Sequence, residues 1–172
     1  MINAELNQYI QKHRTEFLEE LKALLRMPSI STDSEYSDDV RECAEWLVDH
    51  LDSMGVDEAR LEETDGHPIV YGEHIEDPSA PTLLVYGHYD VQPPDPLDEW
   101  ETPPFEPDVR DDKIFARGAT DNKGQHFAHL KAIETHLETN GSLPVNIKLL
   151  IEGEEEIGSK HLHGWVEDNA EL

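Results

Sequence analysis

Three short segments of this chain gather residue types that hold metals and move protons. The first is Gly87-His88-Tyr89-Asp90-Val91-Gln92-Pro93. In extended backbone His88 and Asp90 project to one side, because side chains alternate with a period of two. The imidazole can offer a ring nitrogen to a metal, and Asp90 can orient that ring or tune the site from behind it. The second is Arg117-Gly118-Ala119-Thr120-Asp121-Asn122-Lys123-Gly124, where Asp121 stands between a loop and a helix. Asp is a common helix N-cap, and taken alone this segment favours that role. The third is Leu149-Leu150-Ile151-Glu152-Gly153-Glu154-Glu155-Glu156-Ile157-Gly158-Ser159. Acidic runs are usually solvated faces, but this one directly follows an apolar strand and is bracketed by Gly153 and Gly158, which permit tight turns. Crowded carboxylates raise one another's pKa, and a bound dication relieves the repulsion. Together, one imidazole and several carboxylates are a donor set for a borderline divalent ion such as zinc, cobalt or manganese.

These segments need strand ends to carry them. Leu6, Ile10, Phe17, Leu21, Leu24 and Leu25 recur at helical spacing over Asn3 to Arg26, and Met27-Pro28 should end that helix. A polar loop follows, and Ser37 or Asp38 can cap a second helix that runs to about Met54, with Gly55 as its C-terminal stop. Strands are expected at Ile69 to Glu73, Thr82 to Gly87, Lys113 to Arg117 and Val145 to Ile151. The unbroken apolar run from Thr82 reads as a strand covered on both faces. Further helices are expected from Asn122 to about Glu138, stopped at Asn140-Gly141, and from Ser159 to about Asp168. The six prolines between Val91 and Val109 form an ordered surface loop anchored by Trp100 and Phe105. The alternation of helices and strands predicts an α/β fold: a mixed, mostly parallel sheet flanked by helices on both faces. Its chemistry-bearing segments lie at strand carboxyl ends, where such sheets collect ligands.

Composition narrows the function classes. Thirteen Lys and Arg against 39 Asp and Glu give a net charge of −26, which repels nucleic acid and anionic membranes. The same acidity also serves plain solvation. No Asp-x-Asp-x-Asp-Gly loop of a calcium-binding hand is present. Cys43 is the single cysteine, so there is no intrachain disulfide, and its amphipathic setting reads as a buried structural thiol. No basic leader followed by an apolar run opens the chain, and no stretch reaches membrane-spanning length, so a cytoplasmic protein is expected.

The three motifs, in this order, resemble those of the M20 metallopeptidases. Gly87 to Pro93, Trp100 and Pro103-Pro104-Phe105 are most similar to the carnosinase-like dipeptidase branch. The resemblance implies a zinc-exopeptidase-like catalytic domain and two divalent metal ions, most often zinc. It implies His88, Asp121 and Glu156 as metal ligands, with Asp121 between the two ions and followed by a cis peptide bond. It implies Asp90 as the residue that holds His88, and Glu155 as the general base of amide hydrolysis. Glu154 falls outside that pair, with no role assigned. His161 and His163 read as surface residues.

Family members are longer, homodimeric and acquire two further ligands, an acid and a histidine. By resemblance, residues 1–172 are therefore the N-terminal portion of a truncated catalytic domain. The lid or dimerisation domain and the C-terminal catalytic segment are absent from it. The implied substrates are dipeptides or short peptides. Hydrolysis of N-acyl amino acids, or desuccinylation, is the alternative chemistry within the family. An inactive module that binds metal or a partner chain is the alternative outside it.

Overall fold

The computed structural model describes residues 3–172. Helix α1 (Ala4–Arg26) is opened by Asn3, whose side chain accepts the Glu5 backbone N–H, and its stripe ends in the fully buried Leu24 and Leu25. It stops at Met27, which takes the extended backbone that a residue before proline prefers. Helix α2 (Ser37–Ser53) continues from a short 3-10 turn, Ser34–Tyr36. The side chain of Asp33 opens that turn by accepting the Glu35 N–H at 3.0 Å. Ser37 and Asp38 therefore lie inside the first turn of α2 and cap nothing, because the 3-10 turn already precedes them. Gly55 ends this helix in the left-handed region, at φ 83°.

Strands β1 (Glu58–Glu62), β2 (Ile69–His74) and β3 (Thr82–His88) follow, then a small hairpin of β4 (Asp108–Arg110) and β5 (Lys113–Phe115). Helix α3 (Lys123–Asn140), strand β6 (Asn146–Glu152) and the short helix α4 (Leu162–Asp168) complete the order. Strands β1 and β4 have no counterpart in the sequence reading. Both are short and charged, Glu-Ala-Arg-Leu-Glu and Asp-Val-Arg, and carry little apolar signal.

The main sheet runs β1-β2-β6-β3. It is mixed, as expected, but parallel pairing is the minority: only β3 and β6 run parallel, through the α3 crossover, while β1–β2 and β2–β6 are antiparallel. A parallel pair requires a long crossover, whereas neighbours such as β1 and β2 close through a short connection. Val70, Val85, Leu149 and Ile151 point to one face and form a single cluster with Leu47 and Leu51 of α2 and Phe127 and Leu130 of α3. Truncating a fully buried residue such as Leu149 costs about 2–5 kcal/mol. Helix α1 lies outside, against α3. The other face carries α4, through Trp165 against Tyr71 at 6.0 Å between ring centroids, so the helical cover is unequal. Strand β3 is paired with β6 alone, and Leu83, Leu84 and Tyr86 are about half exposed. Within this chain β3 is not covered on both faces: Leu84 and Tyr86 lie on the face opposite Val85, which only the short α4 covers.

The proline-rich loop is ordered as expected: the Trp100 indole N–H donates to the Pro94 carbonyl at 2.7 Å, and the Arg117 guanidinium lies over the Trp100 ring. Cys43 is fully buried. Among the described residues no helix is long and apolar enough to cross a membrane.

His50 is buried between Trp46 and Phe127, stacked on both rings. Its ring faces Glu20 and Glu134, but Lys131 Nζ already supplies the cation there, 2.7 Å from Glu20 and 2.6 Å from Glu134. Burial, and then the Lys131 charge, push the His50 pKa down to about 4. A folded pKa below the unfolded value means that the unfolded chain binds the extra proton. The stability from neutral His50 is therefore fully present above about pH 6.5 and is lost as pH falls toward 4. Replacing His50→Phe keeps the stacking and removes the titration. The melting-temperature difference between variant and wild type should move in favour of the variant between pH 7 and pH 5. A pH-independent difference would contradict this.

Candidate metal centre

The centre is assembled at the carboxyl ends of the parallel pair β3 and β6, where His88 and Glu152 are register partners. Val85 and Gly87 face the helices, so His88 faces the opposite side. Gly87 is required by close approach: a Cβ there would lie 2.8 Å from the His126 Cβ and 2.9 Å from the Asn122 side-chain oxygen. That contact seats the start of α3 on the strand, and Asn122 Oδ1 accepts the His88 backbone N–H at 3.1 Å.

The His88 ring has two neighbours of opposite kind. Nδ1 lies 3.1 Å from the Asp90 carbonyl oxygen and 3.3 Å from Asp90 Oδ1. Nε2 lies 3.1 Å from Asp121 Oδ1 and 3.9 Å from Glu155 Oε2. Burial alone lowers the His88 pKa, but the hydrogen bond and charge of Asp90, with Glu155 beyond, outweigh it and push it up to about 9. The ring is thus held from behind on Nδ1 and presents Nε2 to a group of acids. Donor atoms of His88, Glu155 and Glu156 all lie within 4.8 Å of one another.

Each residue singled out by the motifs has a definite place. Asp121 is not a helix cap: α3 begins at Lys123 after Asn122, with no side-chain cap. Its carboxylate is 74% exposed and turned to His88; the Asp121–Asn122 peptide is cis, and Asn122 takes the position before the helix. Glu155 and Glu156 form a 3-10 turn with Ile157 after β6. Their backbone N–H groups donate to Asp90 Oδ1 at 3.2 Å and Oδ2 at 3.0 Å, which leaves both carboxylates facing outward. Asp90 is completely buried.

Glu154 points away from this centre. It is buried and accepts the His67 backbone N–H at 3.3 Å, the His161 backbone N–H at 3.2 Å and the His161 ring at 2.8 Å. It ties the exit of β6 to the turn before β2 and to the start of α4. His161 is therefore a half-buried partner of Glu154, whereas His163 is a surface residue at 84% exposed. Reading His161 as surface fails because its ring is drawn in by that buried carboxylate.

Four contributors were not assigned from sequence. Gln92 Nε2 donates to Glu156 Oε2 at 2.9 Å. Ser31 Oγ donates to Asp90 Oδ2 at 2.6 Å. Lys123 is fully buried and donates to the carbonyls of Leu24 and Met27 at the end of α1, at 3.1 Å and 2.8 Å. Burial lowers its pKa. Glu152, also buried, accepts from Tyr86 Oη at 2.6 Å and Ser159 Oγ at 2.8 Å, and burial raises its pKa. Only the Ser residues carried a visible signal: Ser29 and Ser31 alternate after Pro28, placing two hydroxyls on one side of an extended segment.

The donor set fits a divalent ion. One imidazole, oriented through its other nitrogen, meets the Glu155 and Glu156 carboxylates, which repel one another unless a cation sits between them, with Asp121 Oδ1 3.1 Å from the same imidazole.

Residues 84–172 match the model of peptidase family M20/M25/M40. A Cys-Gly metallodipeptidase of Schizosaccharomyces pombe is 36% identical over 180 residues, spanning 97% of this chain and 37% of that protein. The structure of human carnosine dipeptidase 1 superposes with a TM-score of 0.87 at 35% identity, covering 96% of this chain and 38% of that one. An M20 family metallo-carboxypeptidase from Sulfolobus solfataricus gives a TM-score of 0.81 at 46% identity, covering 90% and 34%. The chain thus spans well under half the length of these relatives.

The division of labour among the acids is testable by stability. Glu154→Ala leaves two backbone N–H groups without a partner and should cost on the order of 1–3 kcal/mol in urea denaturation. Glu155→Ala removes a side chain that is 44% exposed and should stay within about 0.5 kcal/mol of wild type. Equal effects would refute the structural role of Glu154.

Proposed function

The chain belongs to peptidase family M20/M25/M40, and from that premise we propose that it carries the proton-transfer and metal-holding groups of a dipeptide hydrolase. The observation that carries this reading is the convergence of His88, Glu155 and Glu156 donor atoms within 4.8 Å, with Asp121 3.1 Å from His88. The dipeptidases among the relatives support the substrate class.

In this reading His88, Asp121 and Glu156 would hold two divalent ions, zinc before cobalt or manganese. When bound, such ions lower the pKa of water and polarise a scissile carbonyl. The remaining steps belong to the protein. Asp90 keeps His88 Nδ1 engaged, so that Nε2 is the atom offered to a metal. Glu155 takes a proton from the attacking water on its carboxylate and returns it to the nitrogen of the leaving amine. Its backbone is fixed through its N–H on Asp90, while its side chain stays open to substrate. Gln92 fixes the Glu156 carboxylate. Residues 1–172 then form the N-terminal portion of a catalytic domain, in keeping with the share of the relatives that they span.

The test is hydrolysis of unblocked dipeptides and of N-acyl amino acids by this chain with zinc, cobalt or manganese, with cobalt binding followed in parallel. The expected result is chelator-sensitive cobalt binding that persists in Glu155→Gln, and cleavage of unblocked dipeptides, once the two further ligands that the family implies are supplied, that falls about 10²–10⁴-fold in that variant. A preference for acylated substrates would move the assignment to amidohydrolysis. Failure to bind cobalt would overturn the metal-site reading.

A further inference from the structure

Asp90 gathers four donors, and one of them comes from outside the segments that carry the centre. Oδ1 accepts from Glu155 N at 3.2 Å and faces His88 Nδ1 at 3.3 Å. Oδ2 accepts from Glu156 N at 3.0 Å and from Ser31 Oγ at 2.6 Å. The Glu155, Glu156 and His88 contacts are the parts being positioned, so they cannot also be the reference against which Asp90 is fixed. The terminal torsion of an aspartate is soft, so a donor held by a different part of the fold sharpens the orientation that the carboxylate takes toward the other three.

Ser31 is anchored independently. The Ser29 hydroxyl donates to the Tyr89 carbonyl at 2.6 Å, the Val91 N–H donates to the Ser29 carbonyl at 2.9 Å, and Ile30 pairs with Val91 in a parallel bridge. Ser29, Ile30 and Ser31 are all buried. Upstream, the end of α1 is held by the buried Lys123. The segment is therefore a rigid strip laid along the exit of β3, with one hydroxyl aimed at the pivot of the centre. The Ser31–Asp90 contact is short and charge-assisted, the strong class of hydrogen bond.

We propose that Ser31 is a positioning residue of the metal centre: its hydroxyl locks the Asp90 carboxylate, and through it the His88 ring and the Glu155–Glu156 backbone. This rests on the metal-site reading above. Removal of the hydroxyl leaves the charge of Asp90 and its other donors in place, so the loss is one of geometry. Groups that orient metal ligands from behind typically account for 10–100-fold in metal affinity.

The experiment is a cobalt(II) titration of the 172-residue chain, recording affinity and the visible d–d absorption of wild type and variants. The informative pair is Ser31→Thr and Ser31→Val, which match in shape and differ in one hydroxyl. Ser31→Thr should keep the wild-type spectrum and affinity. Ser31→Val should bind cobalt about 10–100-fold more weakly with a shifted or weakened band. Leu47→Ala, which loosens the core without touching the strip or Asp90, should lower the melting temperature and leave the spectrum unchanged. Wild-type spectrum and affinity in Ser31→Val would overturn the proposal. So would the same spectral change in Leu47→Ala, since that would make general loss of rigidity the cause. If wild type binds no cobalt, the metal-site reading itself falls and takes this one with it. Cobalt binding that is indifferent to Ser31 removes this proposal alone.

Discussion

Burying a carboxylate is costly unless its oxygens are filled with donors, and Asp90 is entirely buried. That cost constrains everything around it. The backbone N–H groups of Glu155 and Glu156 must come to Asp90, which forces the chain after β6 to turn at once into a 3-10 turn. The His88 ring must lie with Nδ1 against the same residue. A buried acid thus converts an entropically free acidic run into a fixed one, with the backbone facing in and the carboxylates facing out. Gly153 belongs to the same constraint, because a Cβ there would run into the Tyr89 hydroxyl, which donates to the Pro68 carbonyl at 2.6 Å.

A second buried charge, Lys123, acts on the other side. It has no acid within salt-bridge distance among the described residues, and its ammonium group is spent on two carbonyls at the end of α1. These carry the partial negative charge of the helix terminus. Lys123 directly follows Asp121-Asn122, so anchoring it to α1 also fixes where Asp121 stands relative to His88. The centre is therefore held by α1 through Lys123, by the Ser29–Ser31 strip through Asp90, and by the parallel pair β3–β6 through the register of His88 and Glu152.

The sequence revealed the parts of this arrangement that repeat or cluster. The helical stripe of α1, the apolar run of β6 and the stop at Gly141 (φ 67°) are local patterns with local causes. His88 and Asp90 were legible because alternation puts them on one side. The His88–Asp121 contact joins residues 33 apart in sequence and follows from no local rule, so only the order of three family motifs pointed to it. Sheet direction was misjudged because apolar runs do not encode pairing partners. Within these residues strand β3 has the composition of a central strand and the position of an edge strand. The role of Glu154 was hidden for the opposite reason: four acids in five residues look alike, and only burial separates the one that faces His161 and His67 from the two that face His88.

The uneven packing of the sheet explains why the centre is both rigid and open. One face is closed by α2 and α3 around Val70, Leu149 and Ile151, and the residues that orient the centre, Asp90, Ser31 and Lys123, are buried. His88 points to the other face, where Tyr86 is half exposed and the cover is limited to α4. The donor atoms proposed as ligands lie at the boundary between a packed layer, which cannot relax without opening the core, and, within this chain, a solvent-facing layer in which Asp121 and Glu155 are accessible. A carboxylate that must accept a proton from water needs exposure, and one that must hold geometry needs burial. In the proposed reaction those opposing requirements fall to different acids, Glu155 outside and Asp90 inside, joined by a backbone hydrogen bond.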